Sequence, residues 1–239
     1  KIVTPDFKGR DMGVSMSDIL ALLKQSKSKN KVVILDCCFS GKFGELGVIS
    51  SNETVLGEGV TIMTASSRDQ YAVEDGITGH GVFTELLIQG LLGGAADVGG
   101  NITPASLYSF VDQSLGAWEQ RPLFKTNISR FLPIRKIKPK VPIEVLRKLS
   151  DYFQNPDSEY SLDPSFEFTN NPEYEIEIKE PYAKDENINK FKELQLYESV
   201  GLIEPVDEEH MYFAAMNSKS CRLTPLGLHY WKLSKDKRF

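Results

Sequence analysis

The chain has 239 residues, with 28 Lys and Arg against 33 Asp and Glu for a formal net charge of -5, and its hydrophobic and charged fractions are 41% and 26%. These are the proportions of an ordinary globular protein rather than of a chain disordered over most of its length, and the acidic balance disfavours nucleic acid as the main partner, because phosphate binding wants a basic surface. Cys37, Cys38 and Cys221 are too few and too oddly placed for a disulfide framework and fit a reducing cytoplasm; there is no signal-peptide pattern and no apolar run long enough to span a bilayer, so no membrane partner is expected.

The stretch SDILALLK, Ser17 to Lys24, has an Asp near its start and leucines at helical spacing, and it predicts a helix. KVVILD, Lys31 to Asp36, is a short apolar run rich in β-branched residues. It reads as a strand buried on both faces of a parallel sheet, and GVTIMTAS, Gly59 to Ser66, repeats the type. A second helix is expected from Gly81 to Leu92. A third opens at PASLYSFVDQSL, with Thr103 as N-cap and Pro104 in the first turn. Strands alternating with helices argue for a doubly wound, mostly parallel α/β sheet, whose sites form at the carboxyl ends of strands.

The character changes after Phe131. RKIKPKVP reads as a domain exit, and residues 136–187 read as a loosely structured connector with one strand at Tyr174 to Ile178. A compact pattern returns over 188–239: a helix through NKFKELQLYESVG, strands at MYFAAM and SCRLT, and a closing helix through PLGLHYWKL. Helix, two-stranded wing and helix resemble a small α+β winged-helix domain. From Glu186 onward eight basic residues face eight acidic ones, a balance that disfavours strong phosphate binding and favours contact with a regulatory protein.

The chemistry is concentrated in LDCCFSGKFG, Leu35 to Gly44. A thiol at the end of a buried parallel strand, followed by small and turn-forming residues, is held rigidly with its sulfur toward solvent, as a nucleophile requires, while turn amides can stabilise an oxyanion. The alternative is that both cysteines are small buried hydrophobes. In extended chain Cys37 and Cys38 face opposite sides, so at most one serves a site.

Asp36-Cys37-Cys38-Phe39-Ser40-Gly41 resembles the Asp-x-Cys-x-Ser-Gly signature of metacaspases and their prokaryotic caspase-like relatives. The blocks TASSRDQYAVED, GHGVFTELLIQGLLGGAAD, ITPASLYSFV and QRPLF resemble the same family in order. The resemblance spans about Ile2 to Leu132 and implies a caspase-like peptidase domain over 1–135, lacking the family's upstream strands. It implies that Cys38 is the nucleophile of a cysteine endopeptidase and that Asp36 lines the pocket for the residue before the cut, where an acid favours Arg or Lys. It also implies that the loop carrying Ser66, Ser67, Asp69 and Gln70 walls that pocket, with Ser66 and Asp69 as substrate-binding candidates.

The implied partners are a protein substrate and an upstream segment or chain carrying the catalytic His. Caspase-type enzymes place that His about 50 residues before the Cys, and the 37 residues before Cys38 contain none. His80 opens a different family block, and His210 and His229 fall in the C-terminal region. Prokaryotic relatives often act in antiviral defence or cell death, which sets the expected role; a catalytically inactive, partner-binding scaffold is the alternative. No cofactor is expected beyond calcium at the loop carboxylates Asp6, Asp11 and Glu45, where some metacaspases bind it.

Overall fold

The computed structural model describes Val14 and residues 16–36, 58–65, 81–115, 121–130, 132–174 and 178–239. The chain is of the mixed α/β class and divides into two compact units, Lys1–Lys138 and Pro139–Phe239. Among the described residues no helix is long and apolar enough to cross a membrane.

In the first unit, α1 (Met16–Gln25) leads into β1 (Lys31–Leu35), which pairs in parallel with β2 (Val60–Thr64). β2 pairs on its other side, antiparallel, with β4 (Leu123–Asn127), giving the sheet order β1-β2-β4. The expectation of a mostly parallel sheet therefore meets one parallel and one antiparallel pairing among the described strands.

Paired residues share a sheet face, so the register assigns each side chain a side. Val33 lies beside Ile62, and both pack with Leu35 and Val60 against Ile19 of α1. Met63 and Ala65 point to the opposite face and join Phe83 and Leu87 of α2 (Val82–Gln89). Leu107 and Val111 of α3 (Pro104–Ser114) and Ile102 of β3 (Asn101–Ile102) complete that cluster. Phe83, Ile102 and Leu107 are fully buried, and each such side chain contributes about 1.5–3 kcal/mol to folding.

Helix α2 gives way to a single π-type turn at Gly90–Gly94, three of whose five residues are Gly. Thr103 caps α3 as its type and position foretell: its hydroxyl accepts from Ser106 N at 3.1 Å, and Thr103 N donates to Ser106 Oγ at 3.0 Å. β3 pairs with the short β5 (Arg135–Lys136).

One sequence expectation fails on β1, which is not buried on both faces. Val32 and Ile34 each retain 38% exposure. They lie on the α2/α3 side of the sheet, beside Thr61 and Met63, but those helices cover β2 and leave β1 open. Among the described residues β1 pairs only with β2.

The second unit begins at Pro139 and absorbs most of the expected connector. Short helices α4 (Ile143–Leu146) and α5 (Leu149–Tyr152) bury Leu146, Leu149 and Phe153. Trp231 Nε1 donates to Phe153 O at 2.6 Å, and Tyr197 OH donates to Val145 O. These residues therefore hold the long helices α6 (Asp185–Ser199) and α8 (Pro225–Lys235). The stretch also supplies β6 (Glu159–Ser161), an edge of the sheet β6-β8-β7, whose other strands are β7 (Ile203–Pro205) and β8 (Ser220–Leu223). Of the strand expected at Tyr174 to Ile178, residues 175–177 lie outside the described residues.

MYFAAM is not a strand but helix α7 (Met211–Met216). Met211, Ala214 and Ala215 are buried, at the i, i+3, i+4 spacing of a helix, while Tyr212 and Phe213 stay exposed. The wing read from MYFAAM and SCRLT is therefore absent, and β8 pairs instead with β6 and β7.

Asn170 is the polar knot of this unit. Fully buried, its amide nitrogen donates to Pro164 O, Lys179 O and Pro181 O at 2.8–3.1 Å, and its oxygen accepts from Lys179 N at 2.8 Å. Truncation would strip partners from four backbone groups at once. Asn170→Ala should lower stability by about 2–4 kcal/mol in urea unfolding; a loss under about 0.5 kcal/mol, ordinary for a surface change, would contradict this role.

Candidate active site

The site expected at the carboxyl ends of the strands is described through Asp36. The parallel ladder runs to the end of both strands, where Ala65 N donates to Leu35 O at 2.9 Å. Asp36 follows β1 directly and is exposed. Its Oδ2 accepts a hydrogen bond from Thr84 Oγ1 at 2.6 Å, in the first turn of α2. The carboxylate thus sits by the amino-terminal end of a helix.

Gly81, the N-cap of α2, makes this approach possible. Its backbone has ordinary extended angles, so chirality does not demand glycine there. An added Cβ would stand 2.6 Å from Asp36 Oδ2, so the carboxylate could keep its present place only with glycine there.

Among the described residues no Lys or Arg pairs with Asp36. Its carboxylate is fixed in direction by a neutral hydroxyl and has no ion-pair partner among the described residues. Such an arrangement can bind a guanidinium or ammonium group.

The sequence reading did not single out Thr84 or Gly81. Both stand in GHGVFTE, and the available signal was a small residue and a hydroxyl at the start of a helix that must pack beside a strand end.

Cys37, Cys38, Ser66, Asp69 and His80 lie outside the described residues, as do Asp6, Asp11 and Glu45. The described residues hold no group of three or more His, Cys, Asp or Glu able to bind a metal. His210 and His229 belong to the second unit, where His210 stacks on Phe213 and His229 meets Tyr230 edge-on. Cys221 is fully buried on β8, and burial, with Glu198 and Glu159 adding to it, pushes its thiol up to about 12. It is therefore a neutral core thiol at physiological pH.

The block QRPLF is anchored from α3. Arg121 pairs with Asp112 at 3.2 Å, Tyr108 OH donates to Pro122 O at 3.3 Å, and Tyr108 stacks on Phe124 at 4.9 Å. Burial, with the Asp112 charge behind it, raises the Tyr108 phenol above its usual range, so it stays protonated and remains a donor.

No protein-family model, curated protein or solved structure matches the chain.

The Gly81 contact can be isolated by a double-mutant cycle. Gly81→Ala should cost about 1–2 kcal/mol of stability on an otherwise unchanged chain, and under about 0.5 kcal/mol once Asp36 is replaced by Ala. Equal losses in both backgrounds would show that Gly81 serves something other than the carboxylate.

Proposed function

We propose that the first unit is the Cys-bearing part of a caspase-like cysteine endopeptidase that cleaves after Arg or Lys, with Cys38 as nucleophile and Asp36 at the base of the specificity pocket. The observation that carries this reading is Asp36 itself. It is an exposed carboxylate, without an ion-pair partner among the described residues, oriented by Thr84 at the carboxyl end of a parallel strand pair, and the next residues in sequence are Cys37 and Cys38. Open α/β sheets take their ligands at such strand ends.

In this mechanism a His accepts the proton of the Cys38 thiol, and the thiolate attacks the carbonyl carbon of the scissile peptide. Backbone amides beside Cys38 stabilise the oxyanion. The protonated His then gives its proton to the leaving amine as the peptide C–N bond breaks. Water, deprotonated by the same His, hydrolyses the thioester and restores the thiol.

The His comes from outside these 239 residues. Supporting this, β1 has an open edge among the described residues, and its Val32 and Ile34 side chains are 38% exposed beside an otherwise covered face. A neighbouring strand laid along β1 would pair its free backbone groups, cover those side chains and reach the same end of the sheet as Asp36. A role in antiviral defence or cell death, with the second unit contacting a regulatory protein, is the biological setting that the resemblance suggests.

Two experiments test the assignment, each on the protein completed with the His-bearing segment. Cys38→Ala should abolish cleavage of a fluorogenic peptide library while Cys37→Ala retains most of it, since successive residues of extended chain face opposite ways. Equal loss in both folded variants would undo the choice between the two.

The second separates charge from scaffolding at Asp36. Asp36→Asn keeps an oxygen for the Thr84 hydroxyl and removes the charge, so it should leave the melting temperature nearly unchanged. It should lower kcat/KM for Arg and Lys substrates by about 2–5 kcal/mol, roughly 30-fold or more. Unchanged turnover with Asn, or a profile preferring Asp before the cut, would assign Asp36 a purely structural role.

A further inference from the structure

At the opposite end of the same sheet lies a groove of about 820 Å³ lined by Lys27, Lys29, Lys31 and Arg130, with Glu58 as the single acid among its described lining residues. Ser26, Ser28 and Ser129 add hydroxyls, and Leu132, 46% exposed, adds an apolar wall. Four cations against one acid is a sharp local reversal in a chain whose acidic residues outnumber its basic ones by 33 to 28. Among the described residues none of these four cations is in an ion pair.

The groove is built on fixed backbone. Lys31 N donates to Gly59 O at 2.8 Å, and Gly59 N donates to Asn127 O at 2.7 Å, tying the α1–β1 loop to β2 and β4. Gly59 has φ of +80°, and a Cβ there would meet Lys29 O at 2.0 Å, so this close turn requires glycine. Within the loop, Ser28 Oγ donates to Asn30 O at 2.9 Å and Ser28 N donates to Ser26 Oγ at 3.3 Å. The lysines therefore project from an ordered loop, which lowers the entropy cost of engaging a ligand.

We propose that this groove is a docking site for an acidic, carboxylate-rich peptide segment of a partner protein. Charge complementarity selects an anion, and the serines and Leu132 suit a polypeptide, which presents amides and side-chain methylenes between its carboxylates. The groove is short, and its own unit, Lys1–Lys138, carries 15 basic against 14 acidic residues, so no wider positive field extends beyond it for a long nucleic-acid polyanion, whereas a short acidic segment needs the four cations alone. Lys31 and Asp36 stand at opposite ends of β1, about 17 Å apart at the rise of a strand, so docking here leaves the candidate active site free.

The test is fluorescence anisotropy of a fluorescein-labelled Glu-Ser repeat peptide with the full chain, and it needs no peptidase activity. Combining Lys27→Glu, Lys29→Glu and Arg130→Glu should weaken binding at least about tenfold. The same net charge change placed at the exposed Lys140, Lys192 and Lys232 should weaken it less than about threefold. If the reversal unfolds the chain, glutamines at the three groove positions carry the same test, with a loss of at least about threefold. Three results would overturn the proposal: no binding by the unaltered chain, equal loss in groove and control variants, or tighter binding through these residues of a single-stranded oligonucleotide of matched charge.

Discussion

The hydrogen bond from Thr84 to Asp36 joins residues 48 positions apart and links the two layers of the first unit at one point. Its length of 2.6 Å and its charged acceptor place it among the stronger side-chain bonds, and it forms where β1 ends and α2 begins its first turn. The parallel register of β1 and β2 carries Asp36 to the rim of the sheet. Gly81 opens the space in front of it, and Phe83 and Leu87 seat α2 on Met63 and Ala65 so that the hydroxyl arrives. The local chemistry thus depends on packing several residues away.

Among the described residues the two ends of the sheet carry opposite charge for a topological reason. The carboxyl ends of β1 and β2 present Asp36, whereas their amino ends and the exit from β4 gather Lys27, Lys29, Lys31 and Arg130. The same five-residue strand separates them. A molecule that docked on one end would leave the other open, and the proposed peptidase chemistry and the proposed peptide docking therefore do not compete for surface.

Much of this was legible in the sequence where period and punctuation agreed. Thr103 followed by Pro104 announced α3 together with its cap, and the β-branched runs from Lys31 and Gly59 announced the parallel pair. What misled was apolar content without a clear period. MYFAAM suits strand or helix by composition, and only the burial of Met211, Ala214 and Ala215 on one face decides for the helix. The connector looked loose because Asp, Glu, Asn and Pro dominate it. Its order comes instead from single side-chain anchors, Asn170 on four backbone groups nearby in sequence and Trp231 on the distant Phe153 O, which leave no periodic trace. The exposure of Val32 and Ile34 was equally hidden, since an apolar run states what a strand can bury and not which neighbours cover it. At the site, Asp36 was visible from its motif, while Thr84 and Gly81 gain meaning only from the fold.

The central claim is that one thiol of three is a nucleophile beside a cation-binding pocket. An electrophilic peptide ending in Arg, incubated with the assembled protein and mapped by mass spectrometry, tests it directly. Cys221, fully buried with its thiol pushed up to about 12, serves as the internal control and should remain unmodified. The account predicts a single adduct on Cys38, suppressed by excess free arginine ester. Modification of Cys37 instead, or labelling indifferent to the Arg side chain, would contradict it.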